Sequence, residues 1–350
     1  MTGNNKIIAS WESPSNIALV KYWGKKGPQI PANPSISFTL DNALTKTNIE
    51  AIKVDGQNQI SIDFYFENEK NDSFEIKIKA FLEKVVSQFS WLRQYHLQIH
   101  SSNTFPHSSG IASSASAFSA LSLCLCDLHQ QITESTINNF FELASNWSRI
   151  GSGSASRSVY GGYNLWGKTP LIQNSSDEFA VNIDNQINSV FKNLKDTILI
   201  IEKGKKSVSS TKGHALLKEH PFASLRYQLA NENIGLLLNI LKNGEIQEFI
   251  ALVEREALML HSLMMTSPTP FILMKPNTIA VLEKIWDFRN QTGLNLLFTL
   301  DAGANVHLIN TDEHNEQVQN FVKNELVGYC QNGLYFCNAV GSGPKKTKNA

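Results

Sequence analysis

Cysteine is scarce in this chain, neither basic nor acidic residues are in excess, and no apolar run is long enough to cross a bilayer. The four cysteines, Cys124, Cys126, Cys330 and Cys337, form no Cys-x-x-Cys pair. That speaks against a zinc ribbon or a dithiol redox centre and for buried thiols, above all in the apolar run 120–128. Basic residues number 31 and acidic residues 31, for a formal net charge of zero. Broad electrostatic binding of nucleic acid or an acidic membrane is therefore not expected, which leaves room only for a local basic pocket. No apolar stretch of about 18 residues occurs, so no membrane span is expected. Residues 1–10 are polar, so no signal peptide is expected and the cytoplasm is the expected compartment. There is no internal repeat, no low-complexity segment and no Gly-Lys-Ser/Thr of a Walker A loop.

What is present is material for a sizeable core, since 42% of the 350 residues are hydrophobic. Segments 17–22, 35–40, 47–54, 60–66 and 96–100 read as strands, and 74–89 and 111–128 as helices. A further helix is expected to be capped by Thr133, with Ile137, Phe140, Phe141, Ala144 and Trp147 on one stripe. The polar stretch 173–188 places a domain boundary near 190. Beyond it, 197–201 reads as a buried strand. Three long helices follow at 222–242, 245–265 and 277–292, with Gly244 and Gly293 as C-terminal caps. Strands at 296–300 and 306–309, a helix at 314–326 and a strand at 334–340 complete an α+β pattern. The lysines 345, 346 and 348 read as a frayed, solvated end.

Four segments carry chemistry. Phe105-Pro106-His107-Ser108-Ser109-Gly110-Ile111-Ala112-Ser113-Ser114-Ala115-Ser116 offers small residues and a helix N-terminus to an anion, or is an ordinary capped helix. Gly151-Ser152-Gly153-Ser154-Ala155-Ser156-Arg157-Ser158 adds a second Gly/Ser turn with a guanidinium one helical turn from Ser154, or is a packing loop. Two such turns without a P-loop lysine point to two phosphorylated ligands and a phosphoryl-transfer enzyme. Lys21, in Asn16-Ile17-Ala18-Leu19-Val20-Lys21-Tyr22-Trp23-Gly24-Lys25, reads on its own as a snorkelling strand residue beside Leu19 and Trp23. Asp301, in Leu300-Asp301-Ala302-Gly303, is equally a turn-former and a carboxylate held at a rim.

Taken in order, these blocks resemble the mevalonate diphosphate decarboxylase family of the GHMP small-molecule kinase superfamily. The resemblance runs through Asn16-Ile17-Ala18-x-x-Lys21-Tyr22-Trp23-Gly24-Lys25, Pro31-x-Asn33-x-Ser35-x-Ser37-x-Thr39-Leu40, Asn103-x-Phe105-Pro106 with Ser109-Gly110-x-Ala112-Ser113-Ser114, Gly151 to Gly162, and Asp301-Ala302-Gly303-x-Asn305. It implies a GHMP-kinase-like fold of two domains. Residues 1–188 would form a ribosomal-protein-S5-like ATP and substrate domain, and 189–350 a ferredoxin-like α/β sandwich carrying the catalytic aspartate. It implies ATP-dependent decarboxylation of mevalonate 5-diphosphate to isopentenyl diphosphate, through 3-hydroxyl phosphorylation and loss of phosphate and carbon dioxide. It also implies ATP and Mg²⁺, no dedicated metal cage, no nucleic-acid or membrane partner, and a homodimer.

By the same resemblance Asp301 is the base and Lys21 the cation beside it. Asn16, Tyr22, Lys25, Ser152, Ser154, Arg157 and Ser210 meet the substrate, while Pro106, Ser109, Gly110, Ser113 and Ser114 meet ATP. The chain departs from the family pattern at four places. Gly27 replaces an aspartate, His107-Ser108-Ser109 replaces Thr-Ala-Ala, and Ala304 replaces a proline. Thr211 stands where some members carry an arginine. That last departure keeps open a phosphomevalonate decarboxylase or a mevalonate 3-kinase on the same scaffold. A non-catalytic binding protein is disfavoured by the presence of Lys21, Arg157 and Asp301 together.

Overall fold

The computed structural model describes residues 6–106, 111–204, 208 and 210–348, with 210–212 described as backbone. Its first half is organised by two long strands. β1 (Lys6–Val20) runs antiparallel to β4 (Ser35–Lys53), and the short β2 (Lys25–Gly27) and β3 (Ile30–Pro31) form a hairpin between them. β1 is irregular between Pro14 and Asn16 and again between Ala18 and Val20. Such bulges bend a strand and re-aim its side chains. β5 (Ser61–Phe66), β6 (Glu69–Lys70), α1 (Asp72–Val85) and β7 (Tyr95–Asn103) follow. Asn71 caps α1 by accepting from the Phe74 N–H, as short polar N-caps do.

The apolar helix α2 (Ser113–Thr133) is fully buried from Ser119 to Leu128, and α3 (Phe140–Gly151) packs beside it. β8 (Tyr163–Trp166) and β9 (Ala180–Asn182) attach to the other end of β4. Thr133 is the last residue of α2 and bonds back to the His129 carbonyl at 2.7 Å. It therefore caps nothing downstream, contrary to the sequence reading. The apolar repeat carries α2 one turn past Leu128, and left-handed Glu134 stops it.

In the second half, the one-turn α4 (Ser189–Lys192) leads to β10 (Lys195–Leu199). α5 (Ser210–Leu216), α6 (Ala223–Asn243), α7 (Ile246–Met265) and α8 (Pro276–Thr292) follow. Gly244 and Gly293 end α6 and α8 with φ of 84° and 71°, as the helix pattern predicts. β11 (Leu296–Leu300), β12 (Val306–Asn310), α9 (Asn315–Phe321) and β13 (Tyr335–Ala339) complete an antiparallel sheet in the order β11-β12-β10-β13.

The chain end corrects a second expectation. β14 (Lys345–Lys346) returns to the edge of the first sheet beside β1, so that sheet runs β14-β1-β4-β7-β5-β6. Lys346 reaches Asp127 at 2.8 Å, and Asp127 also accepts from the Trp11 indole at 3.1 Å. A carboxylate that deep inside the fold needs a counter-charge, and the tail supplies it. Cys124, Cys126 and Cys330 are buried, while Cys337 is exposed, so the buried-thiol expectation fails at that one position.

Candidate active site

β1 ends at Val20, and the next residues leave the ladder between the two halves. Lys21 is fully buried there, and its Nζ meets Asp301 Oδ1 at 3.2 Å. It is therefore neither a strand residue nor a snorkelling one. Asp301 follows directly on β11, with the Gly303 N–H bonded to its carbonyl at 2.7 Å. Its side chain is 29% exposed, open enough to meet a ligand. Burial lowers the pKa of Lys21, against the opposing pull of Asp301 and Glu256.

Arg157 lies in a turn of 3₁₀ helix (Gly153–Ser158) and is also buried. Its Nε donates to Ser37 Oγ at 2.9 Å, Nη1 to Ser35 Oγ at 2.7 Å and Nη2 to Asn16 Oδ1 at 3.3 Å. The Ser35-x-Ser37 spacing puts both hydroxyls on one face of β4, which suits the planar fork of a guanidinium. Asn16 is itself fixed by donating to Ser158 Oγ at 2.8 Å and to the Ser154 carbonyl at 3.1 Å. Among the described residues these contacts engage three of the five guanidinium donors, leaving two for an anion. Burial pushes the Arg157 pKa down to about 10, with Asp301 and Tyr22 opposing.

Tyr22 stands edge-on to Trp166 at 4.7 Å and against His214 at 4.5 Å, and the Arg157 guanidinium lies 5.8 Å from the Trp166 ring. Burial raises the Tyr22 phenol, so it stays a neutral hydroxyl donor. Lys25 is half-buried and bonds Gln29 within its own hairpin. The Gly24 N–H donates to His214 Nδ1 at 2.9 Å, which requires a neutral imidazole there, and burial holds that ring down to about 3. Gly24 has φ of 100°, and a Cβ on it would lie 2.3 Å from the Tyr227 hydroxyl, so this turn admits only glycine.

The two small-residue turns meet. Ser114, in the first turn of α2, lies 3.2 Å from Ser152 through their hydroxyls. Ala112 enters α2 with a left-handed φ of 43°, and the cap makes no side-chain bond. The N-terminus of α2 thus carries no side-chain cap and lies beside the junction, a position that favours phosphate. Pro106 leads into this turn from β7, Ser113 begins the helix, and Ser154 lies in the Arg157 turn. Ser109 and Gly110, with His107, lie outside the described residues, as does the side chain of Ser210 at the start of α5.

Beside the α2 N-terminus is a cavity of about 220 Å³, lined by Phe64, Phe66, Phe74 and Phe118 with Lys77 and Asn103 among its polar groups. An aromatic-walled cavity next to a helix N-terminus has the chemistry to take a flat, apolar-faced ring carrying an anionic group. No group of three or more His, Cys, Asp or Glu stands together as a metal site among the described residues. Likewise no described helix is long and apolar enough to cross a membrane.

Two family models tile nearly the whole chain in the same order. The diphosphomevalonate decarboxylase-like N-terminal domain matches residues 13–179, and the mevalonate 5-diphosphate decarboxylase C-terminal domain matches 197–345. The chain belongs to the mevalonate diphosphate decarboxylase family. Diphosphomevalonate decarboxylase mvd1 of Aspergillus fumigatus is 27% identical over 336 residues, covering 90% of this chain and 80% of that protein. The crystal structure of the Staphylococcus aureus mevalonate diphosphate decarboxylase superposes with a TM-score of 0.84 at 25% identity, with 98% of both chains covered. A structure of the Enterococcus faecalis enzyme with MVAPP, AMPPCP and magnesium gives a TM-score of 0.83 at 24% identity, covering 98% of this chain and all of that one. The fold is thus the two-domain α+β arrangement of the GHMP kinases.

Within this family frame, several groups around the site escaped sequence reading. Glu256 and Arg226 form a buried ion pair at 2.8 Å, with Asn233 Nδ2 donating to Glu256 Oε1 at 2.6 Å. His261 Nε2 donates to the Asp301 carbonyl at 3.1 Å. A signal existed. Glu256 sits on the apolar stripe of α7 with Leu252, Val253 and Leu260, and Arg226 and Asn233 alternate with Ala230 and Leu237 on that of α6. Charged or amide groups on the buried face of a helix must be partnered, and those on facing helices tend to partner each other. The aromatic cavity left no comparable trace, because its phenylalanines come from one strand and two helices far apart in the chain.

Proposed function

We propose that this chain converts mevalonate 5-diphosphate to isopentenyl diphosphate, consuming ATP and releasing ADP, phosphate and carbon dioxide. The observation that carries the reading is the buried contact of Lys21 with Asp301 at 3.2 Å beside the guanidinium of Arg157. The Asp301 carboxylate accepts the proton of the 3-hydroxyl as that oxygen takes the γ-phosphoryl group, and Lys21 keeps it ionised and aimed. Arg157 binds an oxyanion of the substrate with its two remaining donors, supported by the hydroxyls of Ser152, Ser154 and Tyr22. Lys25 and Ser210 complete the substrate side.

The nucleoside of ATP occupies the aromatic cavity, and its phosphates run along the α2 N-terminus over Pro106, Ser109, Gly110, Ser113 and Ser114. Hydroxyls and backbone N–H groups suit phosphate oxygens, and Mg²⁺ bound with the triphosphate would neutralise charge that this donor set does not. Departure of phosphate from a tertiary carbon builds positive charge there. A cleft closed by Trp166, Tyr22 and His214 excludes water while the carboxylate is lost.

The polypeptide works as a homodimer in the cytoplasm, with its two functional halves at 1–188 and 189–350. The sequence departure at Thr211 bears on which phosphorylation state is preferred. Parallel assays of ADP, phosphate and carbon dioxide with mevalonate, its 5-phosphate and its 5-diphosphate test the reading. The diphosphate should be turned over with all three products in equal amounts. Phosphorylation of mevalonate without carbon dioxide, or turnover confined to the monophosphate, would replace this reading with the corresponding relative.

A further inference from the structure

Lys21 and Asp301 come from different halves of the chain, and each lies just beyond the end of its strand, where the ladder no longer fixes the backbone. Side chains take over that task. The Lys21 N–H donates to Glu256 Oε2 at 3.0 Å, and its carbonyl accepts from Arg226 Nη2 at 2.9 Å and Asn33 Nδ2 at 3.1 Å. The Asp301 carbonyl accepts from His261 at 3.1 Å. Glu256 and His261 belong to the same helix, α7, five positions apart, which is about 7.5 Å along its axis. We propose that Glu256, backed by Arg226, and His261 are positioning residues, and that α7 is the ruler that sets the Lys21–Asp301 spacing. The inference rests on the function proposed above and assigns this helix a part in it.

The chemistry of the clamp favours position over stability. Glu256 accepts four bonds. Oε1 takes Arg226 Nη1 at 2.8 Å and Asn233 at 2.6 Å, and Oε2 takes Arg226 Nη2 at 2.8 Å and the Lys21 N–H. A carboxylate so saturated has one orientation, and so does the backbone bonded to it. Buried ion pairs contribute little net stability relative to apolar packing, so what this one supplies is geometry. It also supplies charge. The groups facing the Lys21 ammonium are Asp301, Glu256 and Arg157, and Glu256 favours the protonated form.

The test uses Glu256→Gln, which keeps the shape and removes the charge, Glu256→Asp as a conservative rescue, and His261→Ala against His261→Asn. Each is followed in two ways: steady-state ADP and carbon dioxide release, and NMR titration of the Lys21 side chain in selectively labelled protein. Glu256→Gln should lower kcat by about ten- to a hundredfold, the cost of a misplaced reacting group. KM for ATP should stay within twofold, and Lys21 should titrate at lower pH than in the wild type. Glu256→Asp and His261→Asn should recover part of the loss. If Glu256→Gln unfolds, the double variant Glu256→Gln/Arg226→Met, which leaves no orphaned guanidinium, is read in the same two assays. Wild-type kcat together with wild-type Lys21 titration would overturn the proposal. So would loss of activity that only tracks the folded fraction. If the wild type releases no carbon dioxide the function proposed above fails, while the NMR shift still decides this inference.

Discussion

At Lys21 two physical effects oppose each other. Burial disfavours the ammonium, while Asp301 and Glu256 favour it, and burial is the larger. The side chain therefore loses its proton below the ordinary lysine range. In the proposed reaction the active form needs the cation, so activity should hold at lower pH and fall as pH rises through that lowered value. In kcat/KM, which reports the free enzyme, the alkaline limb should lie below the lysine range. In kcat the limb should move to higher pH, because the bound anionic substrate adds negative charge next to Lys21. A pH–rate series at saturating and limiting substrate checks both signs. Asp301→Asn keeps the shape but cannot take the hydroxyl proton. It should lower kcat by about 10²- to 10⁴-fold and leave binding of a non-hydrolysable ATP analogue within a few-fold, as measured by calorimetry.

At the level of elements, legibility followed the clarity of the periodic pattern. α6, α7 and α8 were readable from their 3.6-residue apolar stripes, and in α6 and α8 the stripe ends at a glycine of positive φ. The full length of β1 was not. Its middle, Ser13-Pro14-Ser15-Asn16, looks like a polar loop, yet those groups are buried and bonded to Ser119, Ser158 and the Ile111 carbonyl. Polar residues satisfied by a neighbouring element erase the alternation that marks a strand. The site residues from Asn16 to Asp301 were named from local motifs, but motifs say nothing of what holds them. Glu256 and His261 emerged only when α7 was seen to touch both strand ends. The aromatic cavity proposed for the nucleoside was likewise assembled from distant segments, and it yields its own test. Ala117 on α2 lines it, so Ala117→Phe fills space that a base would need. KM for ATP should rise by at least about tenfold, a loss of about 1.4 kcal/mol of binding, while KM for the diphosphate stays near wild type. A parallel rise in both constants would show the cavity to be structural.

Over the whole molecule, the chain end closes a circuit between the two halves. After β13 in the second sheet, the Gly341 N–H donates to the Thr39 carbonyl at 2.7 Å, and its own carbonyl accepts from the Gly162 N–H at 2.8 Å. A Cβ on Gly161 would lie 2.4 Å from the Ser342 carbonyl oxygen, so the Gly161-Gly162 pair is where the tail backbone passes closest. This crossing lies four residues past Arg157 and two past Ser37, the two ends of the guanidinium clamp. The tail then adds β14 to the edge of the first sheet and places Lys346 on Asp127. Two variants separate these roles. Lys346→Ala keeps the strand but leaves the buried Asp127 with only the neutral donors of Trp11 and Gln131, so it should cost about 1–3 kcal/mol. A chain ending at Val340 loses the Gly341 bonds, the edge strand and the counter-charge of Asp127 together. Its urea midpoint should fall well below that of Lys346→Ala, and KM for the diphosphate should rise because the strands behind Arg157 lose their support. An unchanged KM in the shortened chain would show that the tail fastens the sheets without reaching the site.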